Sequence, residues 1–191
     1  MDASREKLIL NSSLLEQVLR PYRPNCRLVE EAVLAFPAGG IRPIPEDQAT
    51  WITCTGGCSV PEAWYIEDTG HFNAVEFNLA FNQVLYCLLA GVVQQGLLPE
   101  LRSWDLSEFW RRQGPDVLIV DYHSRFQKPM GSGVRFDCRV ELKNVVPKPA
   151  KSLLFLHTAC EVVGDDGGHS DAAVVLAIKG WGGDRANAAS A

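Results

Sequence analysis

Residues 63–89 read AWYIEDTGHFNAVEFNLAFNQVLYCLL, and the rest of the chain is organised around them. The stretch opens as a polar loop, Tyr65 to Asn73, with Gly70 inside it. From Ala74 it becomes apolar on almost every side of a helical wheel: Phe77, Leu79, Ala80, Phe81, Val84, Leu85, Cys87, Leu88 and Leu89 leave no polar face. A helix apolar all round must be wrapped by protein or by lipid. Glu76, Asn78, Asn82 and Gln83 interrupt the run and argue against a membrane span. The spacing predicts one long central helix over about residues 73–94 with a sheet curled around it. The concentrated chemistry, Tyr65, Asp68, Thr69, Gly70, His71 and Asn73, sits where the loop enters that helix.

On the N-terminal side, Ser12 or Ser13 is suited to cap a short helix over residues 12–20, which Pro21 ends. A turn-rich joint follows, then a strand over Cys26–Pro37. A loop with Gly39, Gly40, Pro43 and Pro45 leads to a second strand over Ala49–Val60, where Gly56-Gly57 suggests a bend, a bulge or a turn. On the C-terminal side, Asp105 caps an amphipathic helix, LSEFWRRQ. Four strand-like runs come next: Asp116–Gln127, Gly133–Lys143, Ser152–Val163 and Asp171–Gly180. Prolines and glycines separate them. Val134, Phe136, Cys138, Val140 and Leu142 alternate with charged residues, the period of a half-buried antiparallel strand. The expected architecture is α+β, a curved antiparallel sheet wrapped around one central helix, as one domain over residues 1–181 with a disordered tail at 182–191. A single sheet covers only one side of such a helix. A second copy would cover more of it and pair edge strands, so a symmetric dimer is expected.

Composition narrows the function classes. The chain has 191 residues, 47% hydrophobic, with a formal net charge of -5. A nucleic-acid binder would normally show a basic face instead. The start, MDASREKLIL, lacks the apolar core of a secretion signal, so the cytoplasm is the expected compartment. The six cysteines are scattered through apolar segments and read as reduced, buried thiols. Cys54 and Cys58 lack a second pair or histidines at ligand spacing, so no metal site is expected. The reading calls for no cofactor and no membrane.

The stretch YIEDTGHFNAVEFNLAFNQVLY resembles that of the FcoT-like thioesterases, a branch of the hotdog fold. The segment SRFQKP, residues 124–129, is similar to a second motif of that family, and LRPY at 19–22 is a weaker third. The detailed match covers about a fifth of the chain, and the element order fits a hotdog throughout. The resemblance implies fatty acyl thioesters on coenzyme A or an acyl carrier protein as substrates. It further implies that some relatives add the amine of glycine to the β-carbon of an α,β-unsaturated acyl thioester. Thioester cleavage can follow, giving an N-carboxymethyl β-amino acid for natural-product biosynthesis. It implies an active site at a dimer interface, with the loop matching Tyr65 to Asn73 holding glycine. His71 corresponds to the key histidine, and Tyr22, Tyr65, Asn73 and Asn82 to the other site residues.

The residues support such chemistry on their own terms. A helix N-terminus offers unpaired N–H groups and a positive dipole end. A thioester carbonyl placed there finds donors for a tetrahedral oxyanion or an enolate. His71 is the natural general base near neutral pH; the plainer reading is a loop histidine bonded to a backbone carbonyl. Tyr65, Thr69 and loop N–H groups are candidates to hold glycine's carboxylate. Asn73-x-x-Glu76 reads as a capping box, which would occupy the carboxylate that many hotdog thioesterases use. Asp68, a solvated loop aspartate, is a weaker base than His71. Asn82 either bonds the loop or reaches substrate. Tyr22 reads chiefly as packing near the pocket. Arg125 and Lys128, with Arg111 and Arg112, are candidates for a basic rim that receives an anionic carrier. Three rivals remain: a plain acyl-CoA or acyl-ACP thioesterase, a hotdog enoyl hydratase or dehydratase, and a non-catalytic acyl-binding module.

Overall fold

The structure, a computed structural model, describes residues 5–38, 52–60, 65–67 and 70–181. Its elements follow in the order β1 (Arg5–Ile9), α1 (Ser12–Leu19), β2 (Val29–Pro37), β3 (Ile52–Cys58), α2 (Ala74–Gln95), α3 (Leu106–Arg112), β4 (Val117–Lys128), β5 (Phe136–Lys148), β6 (Leu153–Gly164) and β7 (His169–Lys179). The strands form one sheet in the order β1-β2-β3-β5-β6-β7-β4. Every pairing is antiparallel. Strictly alternating burial along β6 puts Leu154, Leu156, Thr158, Cys160 and Val162 inside. The sheet therefore has one dry face, and α2 lies on it, packed against β2, β3 and β5. This is the α+β hotdog arrangement.

The helix is defined at both ends by local chemistry. At its start the Asn73 side chain accepts from the Val75 N–H at 2.8 Å, and Glu76 Oε2 accepts from the Asn73 N–H at 2.8 Å. This is the capping box expected from the spacing. At its end Gly96 has φ 61°, a left-handed conformation that glycine adopts without strain. By length and composition α2 could cross a membrane, but most of it is buried inside the protein.

Two features seat α2 on the sheet. At Gly56 a Cβ would lie 2.6 Å from Val84 Cγ2, so glycine lets strand and helix approach closely. Gly56-Gly57 thus makes neither a bend nor a turn. β3 runs through to Cys58, and the irregularity lies in β2, where the register shifts between Val29 and Glu31. The second feature is Gln83, which is fully buried. Its Oε1 accepts from the Leu28 N–H at 2.8 Å and the Val29 N–H at 3.3 Å, and its Nε2 donates to the Cys26 carbonyl at 2.7 Å. The helix thereby holds the backbone leading into β2, which satisfies a buried amide and three backbone groups together.

The sheet leaves one stripe of α2 uncovered. Val75, Asn78, Leu79, Asn82 and Tyr86, spaced by three and four residues along one face, are exposed or half-buried. At the sheet's edge, β4 exposes Leu118, Ile119, Val120 and Phe126.

Several boundaries differ from expectation for local reasons. The cap of α1 is Asn11, whose Oδ1 accepts from the Leu14 N–H at 2.9 Å, rather than Ser12 or Ser13. Pro24 opens a 3-10 turn through Cys26, so β2 starts at Val29. β1 was not anticipated from the sequence; REKLI is mostly charged, and the strand is held by its register with β2. The loop at residues 39–45, the start of the expected second strand at 49–51 and the tail at 182–191 lie outside the described residues.

Candidate active site

The site begins with the loop that feeds α2. Gly70 has φ 69°, a backbone conformation that L side chains rarely adopt. Immediately after it, His71 pairs with Gly131 in an isolated antiparallel bridge. The Phe72 N–H donates to the Met130 carbonyl at 2.9 Å. The Phe72 ring is buried against Phe136, with centroids 4.9 Å apart. His71 is therefore held from below by an anchored neighbour while remaining exposed itself. Asp166 fixes the opposing turn: it accepts from the Gly131 N–H at 2.9 Å and the Gly168 N–H at 2.8 Å. Those backbone donors, with the nearby Lys128 ammonium, hold the Asp166 carboxyl below the usual carboxylate range.

His71 opens onto a cavity of about 250 Å³ shared with Asn73, Ala74, Phe126, Lys128 and Ser170. Its apolar wall is Phe126, which packs edge-on against Phe77 at 5.8 Å. Ala74 is the first residue of α2, and its N–H makes no hydrogen bond within the helix or to the cap among the described residues. The cavity thus combines an imidazole, an ammonium group and the donor end of a long helix dipole.

Beside it is a closed polar network. The Tyr65 hydroxyl donates to Glu76 Oε1 at 2.7 Å and accepts from Asn73 Nδ2 at 2.6 Å. Desolvation and this donation to Glu76 keep the Tyr65 phenol protonated beyond its ordinary range. Glu76 is buried, and both its oxygens are engaged, by Tyr65 and by the Asn73 N–H.

The expected site residues divide into two groups. His71, Gly70, Asn73, Tyr65 and Lys128 come together at the α2 N-terminus. Tyr22 and Asn82 line a different cavity of about 340 Å³, with Arg23, Val75, Asn78 and Leu79. Asn82 lies eight residues along α2 from Ala74, about 12 Å at a rise of 1.5 Å per residue. Its Nδ2 donates to the Asn78 carbonyl at 2.8 Å, so it is bonded within its own helix rather than to the loop. The Tyr22 ring packs on Tyr86 at 6.4 Å, and burial pushes its phenol far above the ordinary range. Asp68 and Thr69 lie outside the described residues.

The expected basic rim is dispersed. Arg111 and Arg112 are paired with Glu108, and Arg112 also with Asp116. Arg125 is opposite Asp171 in the β4–β7 register, on the strand face away from Phe126. Lys128 instead lines the His71 cavity.

Burial pushes the Cys54 and Cys58 thiols well above their ordinary range and Cys87 up to about 12. None has the ionised sulfur a nucleophile needs. Among the described residues, no three His, Cys, Asp or Glu side chains converge as metal ligands would.

Sequence reasoning did not single out Ala74, Ser170 or Phe126. Ala74 was within reach, because the residue after an N-cap carries an orphan N–H. Ser170 comes from a strand distant in sequence, and no local signal marks it.

The FcoT-like thioesterase domain model matches residues 17–178. The chain is 35% identical to a (2E)-enoyl-ACP glycyltransferase of Streptomyces coeruleorubidus, over 88% of this chain and 96% of that protein. It is 32% identical to a protein of the same description from Mycobacterium marinum, over 86% of this chain and 84% of that one. Among solved structures it is similar to the E. coli PaaI protein of the phenylacetic acid degradation operon. That likeness has a TM-score of 0.44 at 8% identity, over 71% of this chain and 80% of that one.

Proposed function

The chain belongs to the FcoT-like thioesterase family, and we propose that it adds glycine to a (2E)-enoyl thioester carried on an acyl carrier protein. The observation that carries the reading is an exposed His71 lining the cavity at the α2 N-terminus, beside a Glu76 held in the helix cap. The Glu76 carboxylate is part of the helix cap, so the reading gives proton transfer to the imidazole.

In this mechanism glycine's carboxylate sits against the Lys128 ammonium, with Tyr65 and the loop at its side. His71 accepts a proton from glycine's ammonium group, directly or through one water. The freed amine forms a bond from nitrogen to the β-carbon of the enoyl group. The π electrons of the double bond shift onto the thioester oxygen as an enolate. The Ala74 N–H and the α2 dipole lie where that charge develops. Histidinium returns its proton to the α-carbon, which restores the thioester and leaves a β-amino acyl chain. Cleavage by water at the same carbonyl would release an N-carboxymethyl β-amino acid, with His71 as base and the helix N-terminus as oxyanion donor.

The reading includes a symmetric dimer. β4 is an edge strand with four exposed apolar side chains, and the Val75–Tyr86 stripe of α2 lacks a cover. A second copy paired along β4 would hide that edge and leave the α2 stripe as one wall of an open groove. It would also bring a partner's groove with Tyr22 and Asn82 toward the His71 cavity, two places that are distinct within one copy.

The family's thioesterase description favours one second reading, simple hydrolysis of a saturated acyl thioester. Product analysis of an enoyl-carrier substrate, incubated with and without glycine, separates the two. Glycine-dependent consumption supports addition; equal release of free acid in both arms overturns it.

A further inference from the structure

The turn that ends α1 reads RPYRPNCR over residues 20–27, three arginines in eight residues of a chain whose net charge is -5. Prolines stiffen it at positions 21 and 24, and Pro24 opens a 3-10 turn. Arg20 and Arg23 are exposed, while Arg27 is half-buried with its Nε donating to the Tyr22 carbonyl at 3.2 Å. Among the described residues none of the three forms an ion pair. Four other arginines are paired. Arg111 and Arg112 pair with Glu108, Arg135 with Glu30, and Arg139 with Glu141. The turn is a concentrated positive patch on an acidic protein, and it walls the groove lined by Tyr22, Leu79, Asn78 and Asn82.

We propose that Arg20 and Arg23 dock the acidic surface of the acyl carrier protein that delivers the substrate, with the Tyr22 groove receiving the arm that carries the thioester. The proposal rests on the enoyl-carrier reading above. Its physical basis is charge complementarity. An acidic enzyme repels an acidic carrier at long range, so productive encounter needs a local patch of opposite sign. Arginine suits such a surface because its planar fork binds carboxylates in two-point fashion. The groove also suits a pantetheine arm: Tyr22, Val75 and Leu79 offer apolar contact, and the Asn78 and Asn82 amides match the arm's amide groups. Arg23 lines the groove and Arg20 precedes it on the same turn, where the arm would meet its carrier. Lys128 is thereby released from a carrier role and left to the reaction cavity.

The test is a pair of charge reversals, Arg20→Glu and Arg23→Glu, made singly and together, with Arg20→Gln/Arg23→Gln as a milder set. Each is checked for an unchanged melting temperature. The same enoyl chain is supplied on the carrier protein and on coenzyme A. The double reversal should raise KM for the carrier-borne substrate at least tenfold with kcat unchanged, and should flatten its dependence on salt. KM for the coenzyme A thioester should move less than twofold. An unmoved KM on the carrier substrate overturns the proposal. An equal rise on both substrates also overturns it, because the arginines would then be binding the phosphate of the arm rather than the carrier's surface. Direct titration with the carrier protein gives a readout independent of the reaction. If no thioester is turned over, the functional reading fails. A tenfold weaker carrier affinity in the double reversal would then still support the docking surface, and an unchanged affinity would overturn it.

Discussion

The Tyr65 hydroxyl donates to Glu76 Oε1 at 2.7 Å across the mouth of the helix. Together with the Asn73 N–H on Oε2, it commits the carboxylate to holding the loop. The carboxylate thus acts as a structural clamp. The first test follows from that commitment. Glu76→Gln keeps the shape, and a capping box accepts either residue. The variant should lose about 1 kcal/mol of stability and keep glycine addition within about tenfold. General-base catalysis is typically worth about 10² to 10⁴-fold. A loss of that size, with the fold intact, would make Glu76 the base and remove His71 from that role.

Gln83 sets burial of polar groups against helix apolarity. Gln83→Leu makes α2 more uniformly apolar, and on hydrophobicity alone should stabilise the protein. It also strips the Leu28 and Val29 N–H groups and the Cys26 carbonyl of their partner. Unsatisfied buried groups cost about 1–3 kcal/mol each, so a net loss of about 3 kcal/mol is expected. Denaturant unfolding measures it. A gain in stability would show that the clamp is dispensable.

The thiols give a test with a definite sign. Burial raises Cys54 and Cys58 well above the ordinary thiol range and Cys87 to about 12, and the hydrogen bond with Cys160, together with burial, raises Cys138. A raised pKa leaves the thiol protonated and unreactive at pH 8, and Cys160 is shielded as well. Only Cys26, half-buried in the arginine turn, should react with a thiol-specific chromogenic disulfide in the native protein. The other five should appear only on unfolding. Rapid native labelling of a second cysteine would contradict the packing described for β3, α2 and the β5–β6 pair.

The edge of β4 tests the dimer. Val120 is 52% exposed, so Val120→Lys costs an isolated chain little, whereas a charge on a paired apolar edge is strongly unfavourable. Sedimentation should show the wild type as a dimer and the variant shifted to monomer, with glycine addition lost in parallel. A variant that stays dimeric and active would place the interface elsewhere.

Much of the fold was legible because it is written in local chemistry. The Asn73–Glu76 cap, the Asp105 cap of α3 and the alternation along β5 depend on residues close in sequence. β1 was not legible, because its pairing with β2, rather than its own charged sequence, makes it a strand. Of the bend, bulge or turn suggested by Gly56-Gly57, only an irregularity opposite Gly57 is present, and the close approach of Gly56 to Val84, nearly thirty residues away, had no local signal. At the site, the loop and helix N-terminus were readable as one continuous segment. The separation of Tyr22 and Asn82 from His71 depends on where α1 and its turn settle along α2. The arginine turn escaped notice because a charge's significance depends on whether a partner lies near, and only the folded chain shows which arginines are paired.

The central claim is that His71 moves the proton that lets glycine attack the enoyl chain. The most direct measurement is the intact mass of an enoyl-carrier protein after incubation with isotope-labelled glycine and either the wild type or His71→Ala. The wild type should yield a species heavier by one labelled glycine, or the corresponding labelled free acid. His71→Ala should form it at least about a hundredfold more slowly at an unchanged melting temperature. Labelled product at the wild-type rate from His71→Ala, or no glycine-containing product from the wild type, would contradict the account.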